Sequence, residues 1–183
     1  MKTEKELLDH YNKNVTYESV ITERTLATIF TLVDKQVPIG KTIVDLGCGT
    51  GKTCSLLTGH GNKVIGVDYS WARIRAALEM YHGLKLCRME IFEYLAQVCP
   101  HTIDIFCMFD VLEHLERPSN IVSLARSLCN DFVIATIPIN MEYHAHIQVW
   151  KDLEDVKAGL SPDVIVETVL NRRPYAVCKW KKR

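Results

Sequence analysis

Residues 42–53 read TIVDLGCGTGKT. Ile43 and Val44 form a short β-branched run, Asp45 closes it, and glycines follow at 47, 49 and 51. A strand that turns through such glycines into a helix leaves backbone N–H groups, unobstructed by side chains, beside a ligand. Spacing narrows the ligand. A phosphate-cradling loop needs a glycine five positions ahead of its Gly-Lys-Thr, and Leu46 holds that place before Gly51-Lys52-Thr53. A G-x-G-x-x-G dinucleotide fingerprint fails as well: counted from Gly47 it lands on Lys52, and from Gly49 on Cys54. The pattern left standing is D-x-G-x-G-x-G.

The next apolar run, Lys63 to Val67 (KVIGV), ends in Asp68. In a βαβ unit an acid at the tip of the second strand accepts hydrogen bonds from the ribose hydroxyls of an adenosyl ligand. As a turn or cap residue ahead of a helix starting near Ser70, the same acid would need no ligand. Together with DVLEHL at Asp110 to Leu115, these features make residues 40–180 resemble the class I S-adenosylmethionine-dependent methyltransferases, in particular the small ubiquinone-pathway type. The resemblance implies an α/β fold with a Rossmann-like seven-stranded sheet, order 3-2-1-4-5-7-6, strand 7 antiparallel and helices on both faces. It implies S-adenosylmethionine as cofactor, with Asp45, Gly47, Cys48, Gly49 and Gly51 around the methionine part. Asp68 and Tyr69 would meet the ribose side, Glu90 and Ile91 the adenine, and Phe109 would close strand four beside them. Glu90 stands where the commoner family form has Gly-Asp, and it also reads as a plain first-turn helix residue.

At 183 residues the chain fits one domain with one good core, a 42–183 Rossmann-like part preceded by helices within 1–37 that would form a lid. Its 22 basic and 22 acidic residues cancel, so no global field draws in nucleic acid or membrane. The seven cysteines contain no CxxC pair, and Cys48, Cys87, Cys107 and Cys178 sit in apolar or glycine-rich runs. They read as reduced packing residues, neither a disulfide framework nor a zinc site. The opening MKTEKELLDH is charged, which predicts no secretory leader, and no apolar run approaches the roughly 18 residues of a membrane span. A cytoplasmic protein, monomeric or homodimeric, is expected.

Taken in order, the chain predicts a short helix over 3–12 and a second over 17–36, with Leu26, Ile29, Phe30 and Val33 on one face. Tyr11 and Tyr17 would offer ring faces to the sulfonium or serve as packing residues. From Thr42 strands and helices alternate: strands at 42–46, 63–67, 84–88, 103–109 and 132–137. The helices between them start near Gly51, at Ser70 (with Ile74, Ala77, Leu78 and Tyr81 facing the sheet) and before Val98, and one carries Ile121, Leu124, Ala125 and Leu128. A helix near 150–159 precedes two apolar runs, 164–170 and 174–180. Their tight join at Asn171-Arg172-Arg173 predicts an edge hairpin.

Methyl transfer from a sulfonium needs alignment of two reactants and, for a hydroxyl acceptor, removal of a proton. Ligands of an open parallel sheet lie over the carboxyl ends of its strands. Two histidine-bearing segments fall there: Asp110-Val111-Leu112-Glu113-His114 after strand four, and Tyr143-His144-Ala145-His146 after strand five. His114, His144 and His146 are the catalytic candidates, with bracing of the loops as the plainer role. In an extended H-x-H the two side chains face opposite ways, so at most one enters the site. The pattern is also similar to the E-x-x-E-H of metal-dependent O-methyltransferases that act on small RNA or in the ubiquinone pathway. That likeness implies Asp110, Glu113, His114 and His146 as ligands of Mg²⁺ or Mn²⁺, with Asp110 in place of glutamate. The basic C-terminal residues Arg172, Arg173, Lys179, Lys181, Lys182 and Arg183 are a solvated edge or a contact for a phosphate-bearing acceptor. The expected partner is a small or modest-sized acceptor molecule methylated on oxygen. RNA is the first alternative, and a non-catalytic cofactor-binding regulatory partner is the second.

Overall fold

A computed structural model describes residues 21–182. The helix expected over 3–12, residues 17–20 of the second, Tyr11, Tyr17 and Arg183 all lie outside that range. Helix α1 spans Glu23–Asp34, not 17–36, because Ile21 and Thr22 are not helical and Thr22 caps it, its Oγ1 accepting from the Thr25 N–H at 3.1 Å. Strand β1 (Thr42–Leu46) then leads through the glycine turn into α2 (Lys52–Gly59). The alternation continues through β2 (Lys63–Asp68), α3 (Trp71–Met80), β3 (Lys85–Arg88), α4 (Ile91–Gln97), β4 (Ile103–Phe109), α5 (Pro118–Leu128) and β5 (Cys129–Pro138). Helix α6 (Leu153–Leu160) precedes β6 (Val164–Leu170) and β7 (Arg173–Lys181).

The seven strands form one sheet in the order β3-β2-β1-β4-β5-β7-β6, parallel except for β7, which runs antiparallel to both neighbours. Side chains of a strand alternate between faces, and that alternation divides the core in two. Ile43 packs on one side with α1, α2 and α3, through Leu26, Phe30, Leu57 and Ile74. Val44 and Leu46 pack on the other with α5 and α6, through Val122, Ala125 and Val156. The hairpin turn is two residues, Asn171 and Arg172, both at positive φ (49° and 65°), a pair of values that matches the twist of the flanking strands.

Four further expectations change. Leu78 is solvent-exposed, so only Ile74 and Ala77 of α3 are fully buried against the sheet. Strand five starts at Cys129 and reaches Pro138, since Asn130 and Asp131 continue the strand before the apolar run. Trp150 does not head the next helix: Asp152 caps α6, accepting from the Asp155 N–H at 2.9 Å, while Trp150 bridges to Ile139 in the core. Lys179 is no part of an exposed basic edge. It lies in β7, an interior strand, on the face covered by α1, where it pairs with Asp34 and lies 4.1 Å from the Phe132 ring centroid. Among the described residues no helix is long and apolar enough to cross a membrane.

Candidate active site

A cavity of about 680 Å³ opens at the carboxyl ends of β1, β2 and β4. Gly47, Asp68, Tyr69, Glu90 and Ile91 line one part of it, and Asp110, Val111, His114 and Leu115 another. The glycine turn is held against β2 by two amides, Gly47 N–H and Cys48 N–H both donating to Val67 O at 2.7 and 3.0 Å. Asp68 closes the arrangement. Its Oδ2 accepts from the Gly49 N–H at 2.9 Å and its Oδ1 from the Ser70 N–H at 2.8 Å. The capping role falls to Ser70, whose hydroxyl accepts from the Arg73 N–H, which leaves Asp68 facing the cavity with a second lone pair on each oxygen. Burial raises the Asp68 pKa, opposed by the Ser70 amide, Arg73 and the Gly49 amide.

Other expected contacts lie beneath or beside the cavity wall. Asp45 is 2% exposed under the glycine turn, where its Oδ2 accepts from the Cys54 thiol at 3.3 Å. Burial pushes its carboxyl up to about 7. Cys48 is buried beside it, and Gly51 packs so closely that an added Cβ would meet Ala77 and Leu84 at 2.9 Å. Phe109 turns to the α1 side, edge-on to Phe30 at 6.4 Å between centroids. Glu90 is exposed at the N-cap position of α4, and the neighbouring Phe92, 62% exposed, also lines the cavity.

The two histidine segments do converge. Ile147 and Gln148 N–H both donate to Glu113 O, at 2.8 and 3.0 Å, tying the loop after β5 to the 3-10 turn Leu112–His114. His114 and His146 meet edge to face with centroids 5.1 Å apart. His114 Nδ1 donates to Ala145 O and His146 Nδ1 to Met141 O, each at 2.9 Å, so each ring in its neutral form carries its lone pair on Nε2. Burial lowers the His146 pKa, which favours that neutral form. Glu113, His114 and His146 place one ligand atom each within 4.8 Å of one another. Glu113 is 1% exposed, and among the described residues its Oε2 has no hydrogen-bond partner. Its pKa is pushed well up by burial and then by the charge of Asp110.

Asp110 and His144 stand apart from that group. Asp110 sits at φ 56°, donates its N–H to Thr136 Oγ1 at 3.1 Å and accepts from the hydroxyls of Thr136 and Tyr175 at 3.3 and 3.5 Å. His144 lies against the Tyr143 ring, 4.1 Å between centroids. Arg73, Phe92 and Tyr175 lie outside every motif, and Val111 sits inside DVLEHL without a role of its own assigned there. Only Arg73 had a local signal, being one turn into a helix capped by Ser70.

A family model described as a methyltransferase domain matches residues 17–166. A ubiquinone biosynthesis O-methyltransferase of Thiobacillus denitrificans is 31% identical over 100 residues, 52% of this chain and 43% of that protein. The protein so named in Hahella chejuensis is 26% identical over 151 residues, 78% of this chain and 56% of its own length. The chain thus spans about half the length of these curated relatives. Among solved structures, magnesium protoporphyrin IX methyltransferase of Synechocystis with bound S-adenosylmethionine superposes with a TM-score of 0.70 at 18% identity, covering 100% of this chain and 98% of that one. The same enzyme with the demethylated product gives 0.71 at 16% identity, over 99% and 100% of the two chains. At such identities the likeness shows the fold.

Proposed function

The chain belongs to the methyltransferase-domain family, class I and S-adenosylmethionine-dependent, and from that premise we propose that it transfers the sulfonium methyl group to an oxygen of a small or modest-sized acceptor. The observation that carries this reading is a single cavity bounded by Asp68 and the glycine turn at one side and by His114 at the other. A cofactor whose ribose rests on Asp68 would direct its methyl group along that cavity, and the acceptor would approach in line. His114, with Nδ1 committed to Ala145 O, offers Nε2 as proton acceptor for a hydroxyl. The choice of oxygen leans on the two relatives, both named O-methyltransferases. RNA is less favoured, because Lys179 is withdrawn from the basic C-terminal edge. The seven free thiols fit a cytoplasmic setting, and we read the chain as one catalytic unit.

A second reading concerns the cation that metal-using relatives of this fold imply. Glu113, His114 and His146 fit it: two imidazoles whose Nδ1 atoms are anchored on backbone carbonyls and a buried carboxylate with an unpartnered oxygen. These three would hold Mg²⁺ or Mn²⁺, with Asp110 outside the set. A bound cation there would lower the pKa of an acceptor hydroxyl. The two readings assign His114 Nε2 differently, as base or as ligand.

The test is formation of the demethylated cofactor with a panel of phenols, catechols and RNA 3′ ends, with and without EDTA. Turnover of a hydroxyl acceptor that survives EDTA and falls at least about a hundredfold in His114→Gln, cofactor affinity intact, supports the base reading. Tight cofactor binding without turnover on any acceptor overturns the enzymatic reading in favour of a regulatory partner.

A further inference from the structure

Asp68 is a carboxylate with 5% of its surface exposed, and the two hydrogen bonds it accepts among the described residues come from backbone amides. Such a group favours the neutral acid unless a positive charge faces it, and a neutral acid can accept from fewer hydroxyls. Its surroundings contain several ionisable groups. Asp45 from β1 and the Cys48 thiol from the glycine turn lie close enough to act on it or feel its charge. Arg88 lies opposite it in register on β3, where its Nε donates to Tyr69 O at 3.3 Å. Arg73 reaches over from the first turn of α3. It lines the same cavity, and its Nη1 comes within 3.5 Å of the point above Gly49 where a side chain would begin. Gly49 is the residue whose amide Asp68 holds.

We infer that Arg73 is a positioning residue: its guanidinium is the counter-charge that presents Asp68 to the cofactor's ribose hydroxyls as a carboxylate. The inference rests on the reading that Asp68 binds the ribose. A guanidinium gains nothing from the sulfonium of S-adenosylmethionine, since both are cations, whereas Asp68 carries the opposite charge and is held through the amide of the very glycine that Arg73 Nη1 approaches. Gly49 is itself held at φ 53°, a backbone conformation that favours glycine, and a Cβ there would meet Arg73 Nη1 at an ordinary 3.5 Å.

The experiment is calorimetric binding of S-adenosylhomocysteine between pH 5 and 8.5 to the wild type, Arg73→Gln, Arg73→Lys and Asp68→Ala, with the melting temperature of each. Asp45 and Cys48 are common to the wild type and both Arg73 variants, so their titration cancels in that comparison. Arg73→Gln should move the acid limb of the affinity profile to higher pH. Its deficit should be on the order of tenfold at the acid end, one unit of displacement being a factor of ten, and within about twofold at pH 8.5. Arg73→Lys should follow the wild type. A deficit of Arg73→Gln that is the same at every pH, or a lysine variant as weak as the glutamine one, overturns the inference. Asp68→Ala should be weak throughout the range. If it binds as tightly as the wild type, the ribose assignment itself has failed, whatever the Arg73 variants do.

Discussion

Val111 lies directly over Gly47: a Cβ built on the glycine would come within 2.5 Å of Val111 Cγ2. Gly47 is also at φ 77°, so the turn excludes a side chain on two independent grounds. Gly47→Ala should therefore cost about 1–3 kcal/mol of stability and weaken cofactor binding, because the two residues share one wall of the cavity. Adding Val111→Ala should restore the part due to contact and leave the backbone part. Urea unfolding of the two single variants and the double measures both. A double variant no more stable than Gly47→Ala alone would place the whole cost in the backbone.

Gly66 has a different reason for being glycine. It is central in β2, paired with Asp45 and Leu86, and a Cβ there would meet Cys54 Sγ and Leu86 Cδ2 at 2.7 Å and Cys48 Sγ at 2.8 Å. Gly66→Ala should destabilise by about 1–3 kcal/mol through overpacking. Truncating one neighbour, in Gly66→Ala/Cys54→Ala, should recover part of that. Thermal unfolding that shows no recovery would mean that Leu86 and Cys48 alone enforce the gap.

These contacts mark the boundary of what the sequence alone encodes. The turn itself was legible, since D-x-G-x-G-x-G at the end of an apolar run admits few local structures, and so was the run of strands and helices after it. Cap chemistry located Ser70 correctly. The helix near 150–159 carried no cap assignment, and Asp152 is the residue whose side chain starts it at Leu153. The faces of helices are less legible, as the exposed Leu78 shows: periodicity gives a stripe, but its edge depends on how the helix lies on the sheet. Lys179 looked like part of a solvated edge because its neighbours in sequence are basic. Its burial follows from β7 being an interior strand, which is a property of topology. Val111 over Gly47 and Arg73 over Gly49 join residues from separate elements, and neither element's pattern encodes the meeting.

Asp45 makes stability depend on pH. Its carboxyl is raised by burial to about 7 from an ordinary value of 3.8, so the folded state holds a proton that the unfolded chain releases. The associated stability is fully present below about pH 4 and is lost as pH rises through about 7. Three units correspond to at most on the order of 4 kcal/mol. Asp45→Asn keeps an acceptor for the Cys54 thiol and removes the ionisation. It should be more stable than the wild type at pH 8 and show a flatter profile between pH 5 and 8. Asp68, Asp110 and Glu113 are displaced in the same direction, so some slope should persist in the variant. Equal slopes in the two proteins would show that Asp45 is not the group responsible.

The last prediction concerns Glu113, where electrostatics and chemistry pull apart. A buried carboxyl with an unpartnered oxygen, 3.9 Å from His114 Nε2 through its other oxygen, is costly unless something neutralises it. Without a cation, burial and the neighbouring Asp110 charge favour its neutral form. Glu113→Gln in chelated buffer should then be tolerated, with a melting temperature equal to or above that of the wild type at pH 8. Added Mn²⁺ separates the two roles of the cluster. If Glu113, His114 and His146 hold a cation, Mn²⁺ should raise the melting temperature of the wild type and of His144→Ala. It should leave Glu113→Gln and His146→Ala unmoved, because a ligand has been removed from each. His114→Ala and His146→Ala should also be non-additive in turnover, as for residues serving one step. A wild-type melting temperature indifferent to Mn²⁺ and Mg²⁺ at millimolar concentration would remove the cation. The cluster would then be a base, His114, held in one tautomer by Ala145 O, with His146 packed on its edge and His144 dispensable.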